Sequence, residues 1–104
     1  MAYTATLQPI SRVLTDFSQA MPTSLTSLVA VSVRLHEMYI ANNSGVNVTI
    51  LVQDVVGTVL IPSTLLAPGG IISINSDKGI SMSNGIQTQT SSAGVSMKGN
   101  YAIA

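Results

Sequence analysis

From Val46 to Gln53 the chain alternates strictly: Val46, Val48, Ile50 and Val52 are β-branched, and Asn47, Thr49, Leu51 and Gln53 stand between them. Successive side chains of an extended strand point to opposite faces, so the four β-branched residues share one face. A slip of one residue would turn that set toward solvent, so the pattern fixes the register. Ahead of it, Tyr39–Ala41 leads into Asn42, Asn43, Ser44 and Gly45, residue types that accept turn geometry. The stretch Tyr39–Asp54 therefore predicts strand, tight turn and strand, a hairpin at the centre of an all-β domain.

A chain of 104 residues suits one domain, and the lack of cysteine excludes a disulfide framework. Charged residues make up 8 % of the chain, and four basic residues balance four acidic ones. That balance gives no electrostatic ground for binding nucleic acid or an anionic membrane. The 46 % apolar content, with many Ser, Thr and Asn residues, predicts a surface largely covered by partners. The competing reading is a hydroxyl-rich exterior on an ordinary β domain. The longest apolar-rich run, 25–40, is broken by Ser27, Ser32, Arg34, His36 and Glu37, so no membrane span is expected. The start MAYTATLQPISR has neither a basic opening nor an apolar core, which predicts folding in a cytosol. The sequons at Asn42 and Asn47 then read as turn and strand chemistry.

Residues 1–27 are expected as an N-terminal arm and 28–104 as the β domain. Pro9 and Pro22 interrupt the arm, and Thr4–Gln8 could form a short edge strand. Arg12–Gln19 fits either a helical turn or a strand. Phe17, the one Phe of the chain, either anchors this segment on the core or reaches a neighbouring subunit. Val29, Val31, Val33 and Leu35 alternate, but the apolar phase then moves to Met38 and Ile40. One extra residue produces such a shift, which predicts a β-bulge near His36–Glu37; the alternative is a strand buried on both faces. Val55–Gly57 reads as a turn, Pro62 as a strand end, and Pro68–Gly70 as a turn after a connection over 63–67. Ile71–Ile74 and Ile80–Met82 read as separate strands around Asn75–Gly79. Asn84–Gly85 carries the strongest short hairpin signal, and Ser92–Gly94 marks a further turn. Six to eight strands at short spacing mean a sandwich or barrel.

Chemistry is sparse. His36 stands alone beside Glu37, which favours a structural role over a ligand or base. No serine sits in a nucleophile-elbow motif. Asp54 and Asp77 suit turn stabilisation better than calcium, since no dense acidic loop surrounds them. Tyr39 and Tyr101 read as core or rim residues, with stacking on a sugar or base as the alternative. Gln87-Thr88-Gln89-Thr90-Ser91-Ser92 is a polar, uncharged strip that either meets a partner or faces solvent.

The stretches YIANNSGVNVTILVQD, VLIPSTLLAPGG and GISMSNGIQTQTSSAGVSMKGNY together resemble small structural proteins of tailed-phage virions. The resemblance covers roughly residues 38–101 and carries no catalytic signature. It implies a single antiparallel β-sandwich that decorates or cements a capsid, or sits in the tail. The expectation is a jelly-roll-like sandwich with an extended N-terminal arm. It would be non-enzymatic and free of cofactors, made in the host cytoplasm and placed on the outer capsid surface. Its partner would be the major capsid protein, bound across subunit junctions, with self-association as a trimer or dimer. The expected partner-binding residues are Val13, Leu14 and Phe17 in the arm, and Gln87 and Gln89 in the polar strip. The alternative is a tail or adsorption module binding a host-surface carbohydrate, with Tyr39 and Tyr101 as stacking residues.

Overall fold

The computed structural model describes residues 13–104. Eight strands follow in order: β1 (Leu14–Ala20), β2 (Thr26–Val29), β3 (Val33–Asn42), β4 (Val48–Asp54), β5 (Val59–Leu66), β6 (Ile71–Met82), β7 (Ile86–Thr90) and β8 (Val95–Ile103). The first sheet has the order β1-β8-β3-β6 and the second β2-β7-β4-β5. Every ladder is antiparallel. The two sheets pack as a β-sandwich, as the sequence predicts. Only the β4–β5 connection stays within one sheet; all others cross between layers. The pairings β1–β8, β2–β7, β3–β6 and β4–β5 are nested around that one hairpin.

The alternation seen in the sequence builds the core. Val33, Leu35, Met38 and Ile40 of β3 face Val48, Ile50 and Val52 of β4, Ile86 of β7 and Leu66 of β5 in one buried cluster. Val95 and Met97 of β8 and Met82 of β6 complete it. Fully burying an aliphatic side chain of this size stabilises by roughly 1.5–3 kcal/mol. Val46, placed in the same phase, lies before β4 and is 55 % exposed.

The central hairpin is corrected. β3 and β4 do not pair; they lie in opposite sheets. The alternation dictates which face of each strand is buried, but two half-buried strands satisfy it equally by facing each other across a core. Asn42 holds the crossing. Its Nδ2 donates to the carbonyls of Val46 (2.8 Å) and Leu66 (2.9 Å), and its Oδ1 accepts from the Ser44 amide and hydroxyl. Asn84–Gly85 is corrected for the same reason. Both residues have positive φ (63° and 123°), as the dipeptide predicts, yet the turn links β6 to β7 in the other sheet. The positive-φ turn at Gly94 likewise joins β7 to β8 across the layers.

The bulge stands where the phase change puts it. Both neighbours of β3 change register between Leu35 and Glu37, and Leu35 and His36 are both buried. On β6, Asn75 pairs with Glu37 and Ile80 with Leu35, so residues 76–79 stand opposite His36 alone. The expected break at 75–79 is thus a wide bulge inside one strand. Pro62 does not end its strand either. β5 runs on to Leu66 because it is an edge strand, where a missing N–H costs no ladder bond. The ladder with β4 shifts register beside it. Arg12–Gln19 resolves as strand from Leu14 onward, paired with β8 along its length. The expected edge strand at Thr4–Gln8, and the rest of the arm before residue 13, lie outside the described residues.

Candidate functional site

The two outer faces of the sandwich differ in charge. Among the described residues, Asp16, Arg34, Glu37, Asp77, Lys78 and Lys98 all belong to strands of the first sheet. The second sheet carries one charged residue, Asp54, which is 4 % exposed. Its Oδ1 accepts from the amides of Gly57 and Thr58 at 2.8 Å, and its Oδ2 from the Ser83 amide at 3.4 Å. That carboxylate is the staple of the β4–β5 turn, as the turn reading of Asp54 expects.

The outer face of the second sheet is therefore free of exposed charge among the described residues. Cross-strand pairing sets Thr49 beside Leu65, Leu51 beside Gln89, and Gln53 between Gln87 and Val59. Gln53 Nε2 donates to Gln87 Oε1 at 3.0 Å. Leu65 and Val59 on the edge strand are 66 % and 46 % exposed. Such a surface can meet a partner without the cost of stripping water from charges.

The outer face of the first sheet is built from two polar rows that cross all four strands. One row reads Asp16, Asn100, Glu37, Asn75, and the next Ser18, Lys98, Tyr39, Ser73. Asn100 Nδ2 donates to Glu37 Oε2 at 2.8 Å. The Lys98 ammonium lies over the Tyr39 ring, 5.1 Å from its centre, within cation–π range. These residues line a concavity of about 400 Å³. A second of about 290 Å³ shares Ser18, Tyr39 and Lys98 with it, and a third of about 310 Å³ shares Glu37, Asn75 and Asn100. The three adjoin one another along β3 and β8, a shallow trough with shared walls.

The expected partner-binding residues do not gather at one place. Val13 and Leu14 are exposed at the β1 edge of the first sheet. Phe17 is half-buried opposite Gly99, packed on the core, with its ring centre 6.2 Å from that of Tyr101. Gln87 and Gln89 lie on the second sheet, facing the other way. Tyr101, read as a possible stacking residue, is thus part of the molecule's own aromatic pair, whereas Tyr39 lies on the open face. His36 is buried, with Nδ1 3.0 Å from the Ser76 carbonyl oxygen, and closes the β6 bulge. No group of three or more metal-ligating side chains forms among the described residues. No helix among them is long and apolar enough to cross a membrane. The polar rows escaped sequence reading because each strand contributes two members and the alternation does not say which strands are neighbours.

No protein-family model matches the chain, and no curated protein matches it.

Proposed function

We propose that this chain is a non-enzymatic virion structural protein, a capsid decoration or cement protein that binds the major capsid protein across subunit junctions. The observation that carries the proposal is the charge-free outer face of the second sheet. Leu65 and Val59 supply apolar contact there, and Gln53, Gln87 and Gln89 supply hydrogen bonds. The nested strand pairing supports the expected jelly-roll-like winding, which viral capsid domains and lectins share, so it bears on the fold and not on the function.

The mechanism is mechanical. A protein that binds the assembled shell and not its free subunits stabilises the shell by mass action. Repetition around a symmetric particle, with self-association as a dimer or trimer, lets modest single contacts hold. The test is to count this chain against the major capsid protein in purified virions by quantitative mass spectrometry. A ratio within a few-fold of one supports decoration. A handful of copies per particle moves the protein to the tail, and absence ends the virion reading.

A further inference from the structure

We propose that the trough on the outer face of the first sheet binds an extended, neutral saccharide. The inference stands on that face alone and does not depend on capsid docking through the other one.

The floor of the trough alternates in hydrogen-bonding character. Along the row Asp16, Asn100, Glu37, Asn75, carboxylates alternate with carboxamides, one from each strand, at the strand spacing of about 4.8 Å. Carboxylates only accept, while carboxamides also donate. A sugar hydroxyl does both, so a hydroxyl-bearing chain can satisfy such a row without bringing a charge of its own. In the next row Ser18 and Ser73 add hydroxyls, and Lys98 adds an ammonium beside the Tyr39 ring. An aromatic ring with a polar tip suits the C–H face and the hydroxyl rim of a sugar. The adjoining concavities run past residues 36 to 42 of β3, roughly 20 Å at the rise of a strand, which fits a chain better than a single ring.

Other ligands fit less well. Asp16 and Glu37 are separated by β8, about 9.6 Å across two strand spacings, too far to share one calcium with bonds of about 2.5 Å. The same carboxylates repel phosphates, which removes nucleic acid. An extended peptide adds to a free sheet edge, but β8 and β3 are interior strands whose backbone is already paired. A folded protein partner needs clustered apolar anchors, and this face offers Leu14 at one end, 44 % exposed, and Ile71 at the other, 54 % exposed, lining different concavities.

The test is a titration of the full, isotopically labelled chain with a panel of neutral di- to hexasaccharides built from glucose, galactose, mannose and N-acetylglucosamine. Calcium chloride and a sulfated oligosaccharide serve as comparisons. Amide shifts are expected at Ser18, Glu37, Tyr39, Lys98 and Asn100 and not at Gln87 or Gln89. Tyr39→Ala and Asn100→Ala are each expected to weaken binding roughly tenfold, while Gln89→Ala leaves it within about twofold. The proposal is overturned if no neutral saccharide shifts this face at about 10 mM, if calcium or the sulfated chain binds there instead, or if the shifts map to the second sheet. Should Tyr39→Ala fail to fold, the wild-type shift map decides alone. Particle binding is read separately on virions, so failure here and failure of the capsid reading are distinct results.

Discussion

Asn42 Nδ2 donates to the Leu66 carbonyl at 2.9 Å, so one fully buried amide joins the end of a first-sheet strand to the end of a second-sheet strand. Replacing it with alanine takes this partner from the Leu66 carbonyl and the Ser44 amide, while the Val46 carbonyl keeps the Ser44 hydroxyl at 3.1 Å. Asn42→Ala is expected to lower stability by about 3 kcal/mol, read from denaturant unfolding with an unchanged slope. Asn42→Asp should be worse at neutral pH than in acid, because an ionised oxygen would then face two carbonyl oxygens.

Gly99 sits where the bulge on β3 brings backbone close. A Cβ built there would lie 1.9 Å from the Glu37 carbonyl oxygen, which no rotamer can relieve. Gly99→Ala should cost at least ~2 kcal/mol by overpacking against backbone. Gly45 has open space around an added Cβ, and Gly45→Ala should change stability by less than ~1 kcal/mol. Thermal unfolding of both variants checks the contrast.

The Thr88 hydroxyl is buried with no hydrogen-bond partner among the described residues. Valine keeps the shape and removes the unsatisfied oxygen. Thr88→Val is therefore expected to stabilise the fold by about 1 kcal/mol, seen as a higher unfolding midpoint. A loss of stability would mean that the hydroxyl has a donor or acceptor after all.

Asp54 secures the one connection that stays inside a sheet. Asp54→Ala strips the acceptor from the amides of Gly57 and Thr58 and should cost about 2 kcal/mol. Hydrogen exchange at those two amides should rise more than at the core amides of β3 if the loss is local to the turn.

The sequence showed which residues are inside and largely hid which strands are neighbours. The alternation at Val48, Ile50 and Val52, and the change of phase between Leu35 and Met38, carry information about one strand at a time, and both appear in the structure where the residues put them. The Asn84–Gly85 pair likewise encodes two positive-φ residues and delivers them. None of these signals says whether the next strand continues the same sheet or crosses to the other, since a tight turn serves both. The candidate sites suffered most from this. Glu37 and Tyr39 are polar on one strand, and Lys98 and Asn100 on another. Only the pairing of β3 with β8 makes them a surface.

The nesting of strand pairs around β4–β5 sets an order for assembly. That hairpin closes a short loop, whereas β1 must find β8, Leu14 against Ala102. Each doubling of the closed loop costs only about 0.6 kcal/mol, but distant pairings slow the search, and refolding is expected in milliseconds to seconds. Val52→Ala should slow refolding, and Phe17→Ala should mainly speed unfolding, in stopped-flow measurements. β8 separates β1 from β3 and is the last of the eight strands along the chain. During synthesis the first sheet therefore lacks one of its two interior strands until β8 has left the ribosome, and the trough on its face can form only after that.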